Sequence, residues 1–236
     1  VKILAEEAHK KGMTVSGHVP KAVGNAIPAI ESGMDMLSHR SLILSVLFPE
    51  KNTTELGRYY LAEHEVSAER MKKATNFLLK HKTVLDPTIA LNIVGALPKG
   101  DPLETIEPAA DRIAYELFEG KRFRNGVSAK RSALIKEDNS IGMQILGDFF
   151  RAGIPIVAGT DNVVSVFSLY LEMETYHDLG KLTPLEAIKT ATSVPAKAMG
   201  MYTETGSLEV GKEADIAILE KNPLEDITNI RTVSSV

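Results

Sequence analysis

The chain has 236 residues, a formal net charge of −4, no cysteine, and 25% charged residues against 44% hydrophobic ones. That length suffices to bury one large core, the charge supplies no basic stripe for nucleic acid, and the lack of cysteine excludes disulfides and leaves only nitrogen and oxygen ligands for a metal. No apolar run approaches the ~20 residues of a membrane-spanning helix, so neither nucleic acid nor membrane is an expected partner, with localisation left open.

The first element is a helix tail, with Ile3, Leu4 and Ala8 at helical spacing, lysines in its last turn and Gly12 at the C-terminal cap position. Because Val1 opens inside this pattern and is not an initiator Met, the expectation is a piece of a longer protein. The apolar run Met13 to Gly17 then ends at His18, a short helix with Gly33 follows Asn25, and the run Met34 to Ser38 ends at His39. Both runs suit buried parallel strands, and with their helices they make two strand–helix units back to back. From Pro49 to Lys82 the pattern is helical and polar, with Ser67 as N-cap of a helix from Ala68. Thr83 to Thr88 reads as a third strand, closed by Pro87, through which a central strand could not continue.

Residues 95–127, rich in Gly, Pro and charge, read as a long excursion over the strand ends with one amphipathic helix from Glu104 to Phe118. A helix from Ser128 to Ala152, with the apolar stripe Leu134, Ile135, Ile141, Ile145, Leu146 and Phe149, leads through Gly153 into the strand Ile154 to Thr160, which ends at Asp161. Helices over Ser168–Leu179, Thr183–Thr192 and Pro195–Met199 follow, the second opening on the capping box Thr183-Pro184-Leu185-Glu186. Past Gly200 the pattern changes: a turn between Gly206 and Gly211 precedes Asp215 to Leu219, which alternates like a half-buried strand. The division expected is a barrel-type domain over residues 1–203 and a small β domain over 204–236.

His18, His39 and Asp161 therefore sit at the ends of three predicted parallel strands, where a (β/α)8 barrel keeps its chemistry. Two imidazoles and a carboxylate are the donor types for a divalent metal and for the proton transfer of metal-assisted hydrolysis. Taken singly, each histidine also fits a hydrogen-bonded strand-end residue, and Asp161 fits a helix N-cap. Arg40 has a fork that could hold a substrate carboxylate or form a structural ion pair, and Tyr170 is a candidate pocket or core residue. His9 reads as a helix C-terminal charge, His64 and His81 as surface residues, and His177 as a surface or interface residue. Glu172 and Glu174 read as a solvated helix face. A phosphate-handling barrel fits less well, because Asp161 stands where phosphate would be repelled. Only four of a barrel's eight strands are found, so an uncovered half-barrel could instead close by pairing with a second copy as a homodimer.

The segments Gly17-His18-Val19, Ser38-His39-Arg40, Ala158-Gly159-Thr160-Asp161, Leu182 to Ala187 and Gly206 to Asp215 together resemble the amidohydrolase superfamily, in the branch with imidazolonepropionase and Xaa-Pro dipeptidase-like enzymes. The resemblance implies an α/β fold, the C-terminal half of a (β/α)8 TIM barrel, strands five to eight, with part of a small β domain. It implies a metal-dependent hydrolase cleaving an amide or peptide C–N bond in a small molecule or dipeptide, with zinc or another divalent metal in the full-length enzyme. His18 and His39 become the fifth- and sixth-strand ligands, Val84 to Pro87 the seventh strand, and Asp161 the eighth-strand metal ligand and general base. The family's first-strand His-x-His and fourth-strand lysine are not found in this sequence. The expectation is accordingly a fragment that lacks activity and by itself binds metal weakly or not at all.

Overall fold

The computed structural model describes residues 1–19, 22–57, 59–112, 126–161 and 167–236. Its frame is a parallel sheet in chain order: β1 (Ser16–Gly17), β2 (Met36–Ser38) and β3 (Val84–Asp86), with Ser16 opposite Met36 and Met36 opposite Val84. Residues 154–157 extend it as a fourth parallel run, bridged Leu85 to Ile156, with Leu85 N–H donating to Pro155 O at 2.9 Å and Val157 N–H to Leu85 O at 2.8 Å. A parallel neighbour requires a crossover, and the crossovers are helical. α1 (Lys2–Lys10) leads into β1, α2 (Ala26–Glu31) joins β1 to β2, and α3 (Arg40–Leu47), α4 (Tyr60–Glu63) and α5 (Ala68–His81) join β2 to β3. After β3 come α6 (Ile89–Gly95) and α7 (Ala129–Arg151), and after the fourth run α8 (Ser168–Asp178), α9 (Pro184–Thr190) and α10 (Ser193–Ala198).

Local chemistry explains where several of these helices start and stop. Ser67 and Ser128 accept hydrogen bonds from the backbone N–H three residues on, and Thr183 and Glu186 cap each other reciprocally. α1 ends at Gly12, whose φ of 70° is the left-handed cap conformation that glycine adopts without penalty. The core lies between sheet and helices, with Leu37, Leu85, Ile154 and Ile156 from the strands against Ile89, Met143, Phe149 and Tyr176. No helix among the described residues is long and apolar enough to cross a membrane.

Three expectations need correction. The His18 strand is not buried: β1 lies at one edge of the described sheet, Ser16 is exposed and Met13 is 59% accessible, so only its inner side gains a ladder. In the excursion, residues 103–105 and 110–112 form single 3-10 turns where a continuous helix was expected, because Pro102 and Pro108 interrupt the hydrogen-bond register, while 113–118 lie outside the described residues. In the tail only Ile218–Leu219 (β4) is strand, paired antiparallel with Val233–Ser235 (β5); Ile216 and Ile218 are exposed, so the alternation marks a thin two-stranded ribbon and not a half-buried sheet.

Candidate active site

β1 and β2 run side by side in parallel, so the residues leaving their carboxyl ends are neighbours. His18 follows Gly17 and His39 follows Ser38, and their Nε2 atoms stand 2.5 Å apart with the rings edge to face at 68°. Two nitrogens this close share one point of space: either one N–H donates to the other ring, or both lone pairs serve a single cation. His18 is exposed and His39 half-buried. On its far side His39 Nδ1 lies 2.8 Å from Thr88 Oγ1. With Nδ1 carrying the proton toward this hydroxyl, Nε2 is left as the free lone pair, the tautomer a metal ligand needs. Burial and the neighbouring His18 both push the His39 imidazole below its ordinary value, with Asp161 opposing them.

The backbone around these groups is strained. His39 (φ 70°), Thr88 (φ 48°) and Asp161 (φ 48°) are three of five described non-glycine residues with positive φ, and all three leave the same ends of the sheet. Each such conformation costs on the order of 1–3 kcal/mol and collects where function over-determines the geometry. His39 is pinned there by its own N–H, which donates to Asp86 O at 2.7 Å.

Asp86, the last residue of β3, is the carboxylate that the strand-end criterion should have found, since it occupies the position on its strand that Ser38 holds beside it on β2. Burial pushes its carboxyl up to about 6, against hydrogen bonds from the Ser38 hydroxyl and the Gly159 N–H. Gly159 is required there because a Cβ at that position would overlap the Asp86 carboxylate. Asp161 is exposed, within electrostatic reach of both Asp86 and His39. Among the described residues no group of three or more His, Asp or Glu side chains converges tightly enough to hold a metal ion. The structure thus brings His18 and His39 together and leaves Asp161 beside them.

Arg40 and Tyr170 lie elsewhere. Arg40 is buried and its guanidinium pairs with the equally buried Asp138 of α7, whose other oxygen accepts from Leu61 N–H at 2.5 Å. Gly142 of α7 leaves the room that this guanidinium fills. Tyr170 lines an open cleft of about 530 Å³ with Phe167, Arg112 and Arg231, its ring 5.4 Å from the Arg231 guanidinium. The solvated-face reading of α8 is corrected. Glu172 is fully buried, accepting from Ile89 and Ala90 N–H, and Glu174 is paired with Arg231, because α8 is packed between α6 and the C-terminal segment and has no free side there. His9 pairs with Asp35 at 2.8 Å, and His64 stacks on Tyr60.

The sequence model of the Amidohydrolase family matches residues 1–236. Ochratoxinase from Aspergillus niger is 44% identical over 78 residues, 33% of this chain and 16% of that protein. Imidazolonepropionase from Brucella anthropi is 36% identical over 86 residues, 35% of this chain and 21% of that protein. Among solved structures, A. niger ochratoxinase superposes with a TM-score of 0.60 at 24% identity, covering 98% of this chain and 42% of the ochratoxinase chain. A Xaa-Pro dipeptidase with methionine bound in its active site gives 0.55 at 22%, covering 96% and 43% respectively. The chain therefore spans less than half the length of the solved structures it resembles, and shares their fold over that part.

Proposed function

The chain belongs to the amidohydrolase family, and from that premise we propose that it carries one half of the active site of a metal-dependent hydrolase that cleaves an amide C–N bond in a small molecule or dipeptide. The observation that carries this reading is the convergence of His18 and His39 Nε2, with His39 Nδ1 held by Thr88. Its four parallel runs are read as strands five to eight of a barrel, in keeping with solved relatives of more than twice the length.

The donors present fit part of a divalent-metal site: two neutral-competent imidazole nitrogens aimed at one point, with an outer hydroxyl fixing one tautomer. His18 and His39 would hold zinc or a similar ion through Nε2. When bound, such an ion supplies Lewis acidity toward a carbonyl oxygen and toward water. Asp161, exposed beside the two imidazoles, would accept the proton from the attacking water. Asp86 fixes the strand end that presents Asp161, through Gly159. Tyr170, in its cleft beside Arg231, is the candidate for contact with the substrate; Arg40 in its buried pair serves the packing of α3 on α7.

Among the described residues Asp161 does not converge with the two imidazoles on one ion, so the reading takes the remaining donors from further barrel strands. The test is hydrolysis of Xaa-Pro dipeptides and N-acyl amino acids by the chain extended with those strands. Activity lost on His18→Ala and on chelation supports the reading; equal turnover with chelator overturns it.

A second reading, a non-catalytic half-barrel that pairs with another copy, is favoured by the outer edge of β1, which has no partner strand among the described residues and is flanked by Met13 and by the exposed Ile3 and Leu4 of α1. Native mass spectrometry separates the two, since a monomer that takes up zinc speaks against pairing and a metal-free dimer for it.

A further inference from the structure

The group that holds His39 in place is itself held from the opposite side of the core. Thr88, whose hydroxyl meets His39 Nδ1, has a left-handed backbone (φ 48°, ψ 46°), an expensive conformation for a β-branched residue. It persists because the next two residues are clamped. Ile89 N–H donates to Glu172 Oε1 at 2.8 Å and Ala90 N–H to Glu172 Oε2 at 2.7 Å, both buried. These are the first two amides of α6, which have no acceptor within their own helix. Glu172 is 83 and 82 residues away in sequence and fully buried, and its third contact is the Tyr176 hydroxyl at 2.8 Å.

That hydroxyl also lies 3.0 Å from Val157 O, in the run that leads to Asp161. A tyrosine has one proton, and a carbonyl and an ionised carboxylate both demand it. A protonated Glu172 resolves the conflict, giving its proton to the Tyr176 oxygen while Tyr176 donates to Val157 O. The carboxyl is thereby the only group of its size that serves this place: an amide would set its NH2 against one of the two α6 amides.

We infer that Glu172 is a positioning residue for the His18–His39 centre, fixing the Ile89–Ala90 turn so that Thr88 orients the His39 ring, and tying that turn through Tyr176 to the run carrying Asp161. The inference rests on the reading of His39 as a ligand through Nε2. It assigns to a buried acid, 83 and 82 residues in sequence from the two amides it clamps, a role in the geometry of the His18–His39 centre. 

The test is long-range 1H–15N correlation of the histidine rings in the metal-free, chelator-treated chain. In the wild type His39 shows one tautomer, protonated at Nδ1. Glu172→Gln, which forfeits one α6 amide, admits the second tautomer and draws the two ring-nitrogen shifts together. Thr88→Val does the same. Ile135→Val, a core change in α7, lowers the unfolding midpoint and leaves the ring shifts in place. If Glu172→Gln lowers the midpoint but leaves the His39 shifts where they were, Glu172 is a structural acid only and the inference is overturned. A mixed tautomer in the wild type would instead remove the Thr88 link, and with it the reading of the centre.

Discussion

The Tyr176 hydroxyl sits 2.8 Å from Glu172 Oε1 inside a fully buried pocket, one turn of α8 apart, and Asp86 is the other acid that faces them. Burial pushes the Glu172 carboxyl up to about 8 from an ordinary 4.5, more than the Ala90 and Ile89 N–H groups pull it down. The folded chain therefore keeps a proton that the unfolded chain has already released between those two values. Stability from this group is complete below about 4.5, falls as pH rises toward about 8, and is flat beyond. Each pH unit inside the window costs at most about 1.4 kcal/mol. Urea unfolding of wild type and Glu172→Gln across that window should show the gap between them narrowing or reversing toward the alkaline end; parallel curves would show that Glu172 is ionised in the fold.

Arg231 grips two carboxylates at once. Its Nη1 donates to Glu107 at 2.6 Å and its Nε to Glu174 at 2.6 Å. Burial pulls the guanidinium down, and the two acids more than offset this, holding it above its ordinary value. Arg231→Met leaves the wholly buried Glu107 without its partner and should cost about 3 kcal/mol by chemical unfolding. Removing Glu107 as well, in Arg231→Met with Glu107→Gln, should recover part of that loss.

Gly159→Ala places a methyl on the Asp86 carboxylate. The expected cost is about 1–3 kcal/mol of stability, as for other overpacked sites, together with movement of the Asp161 amide resonance. A neutral effect would mean that Asp86 leaves this position freely.

Zinc should raise the melting temperature of the chain only modestly, since two imidazoles alone bind weakly, and His18→Ala and His39→Ala should each abolish the shift. A zinc-dependent shift that survives both substitutions would locate binding elsewhere.

Thr183→Ala removes one arm of the reciprocal cap on α9. The loss should be about 1 kcal/mol, with no change in the His39 ring signals, which makes it a useful control for effects that merely loosen the fold.

The elements were largely legible, because their signals are local. Ser67, Ser128 and Thr183 announce helix starts, Gly12 announces a stop, and the apolar runs before His18, His39 and Asp161 meet as parallel neighbours or join at the Leu85–Ile156 bridge. The pairing of His18 with His39 follows from that order, as both leave adjacent strands at the same end. What stayed hidden depends on which side of an element is covered. Glu172 and Glu174 look like any exposed helical pair until α6 and the C-terminal segment pack against them. Arg40 follows a candidate ligand directly in sequence, yet the first turn of α3 sends its side chain back to Asp138. Thr88 matters only because its backbone is left-handed, and no composition signal marks that in a β-branched residue.

The positive φ angles of His39, Thr88 and Asp161 also say how this molecule would respond to directed improvement. Glycine at any of these positions would relieve the backbone. A library screened for heat tolerance alone should enrich such replacements and, in doing so, dismantle the centre while the fold grows sturdier. The three positions are a local trade of robustness for chemistry, and a screen that reports both properties would find them by their opposite responses.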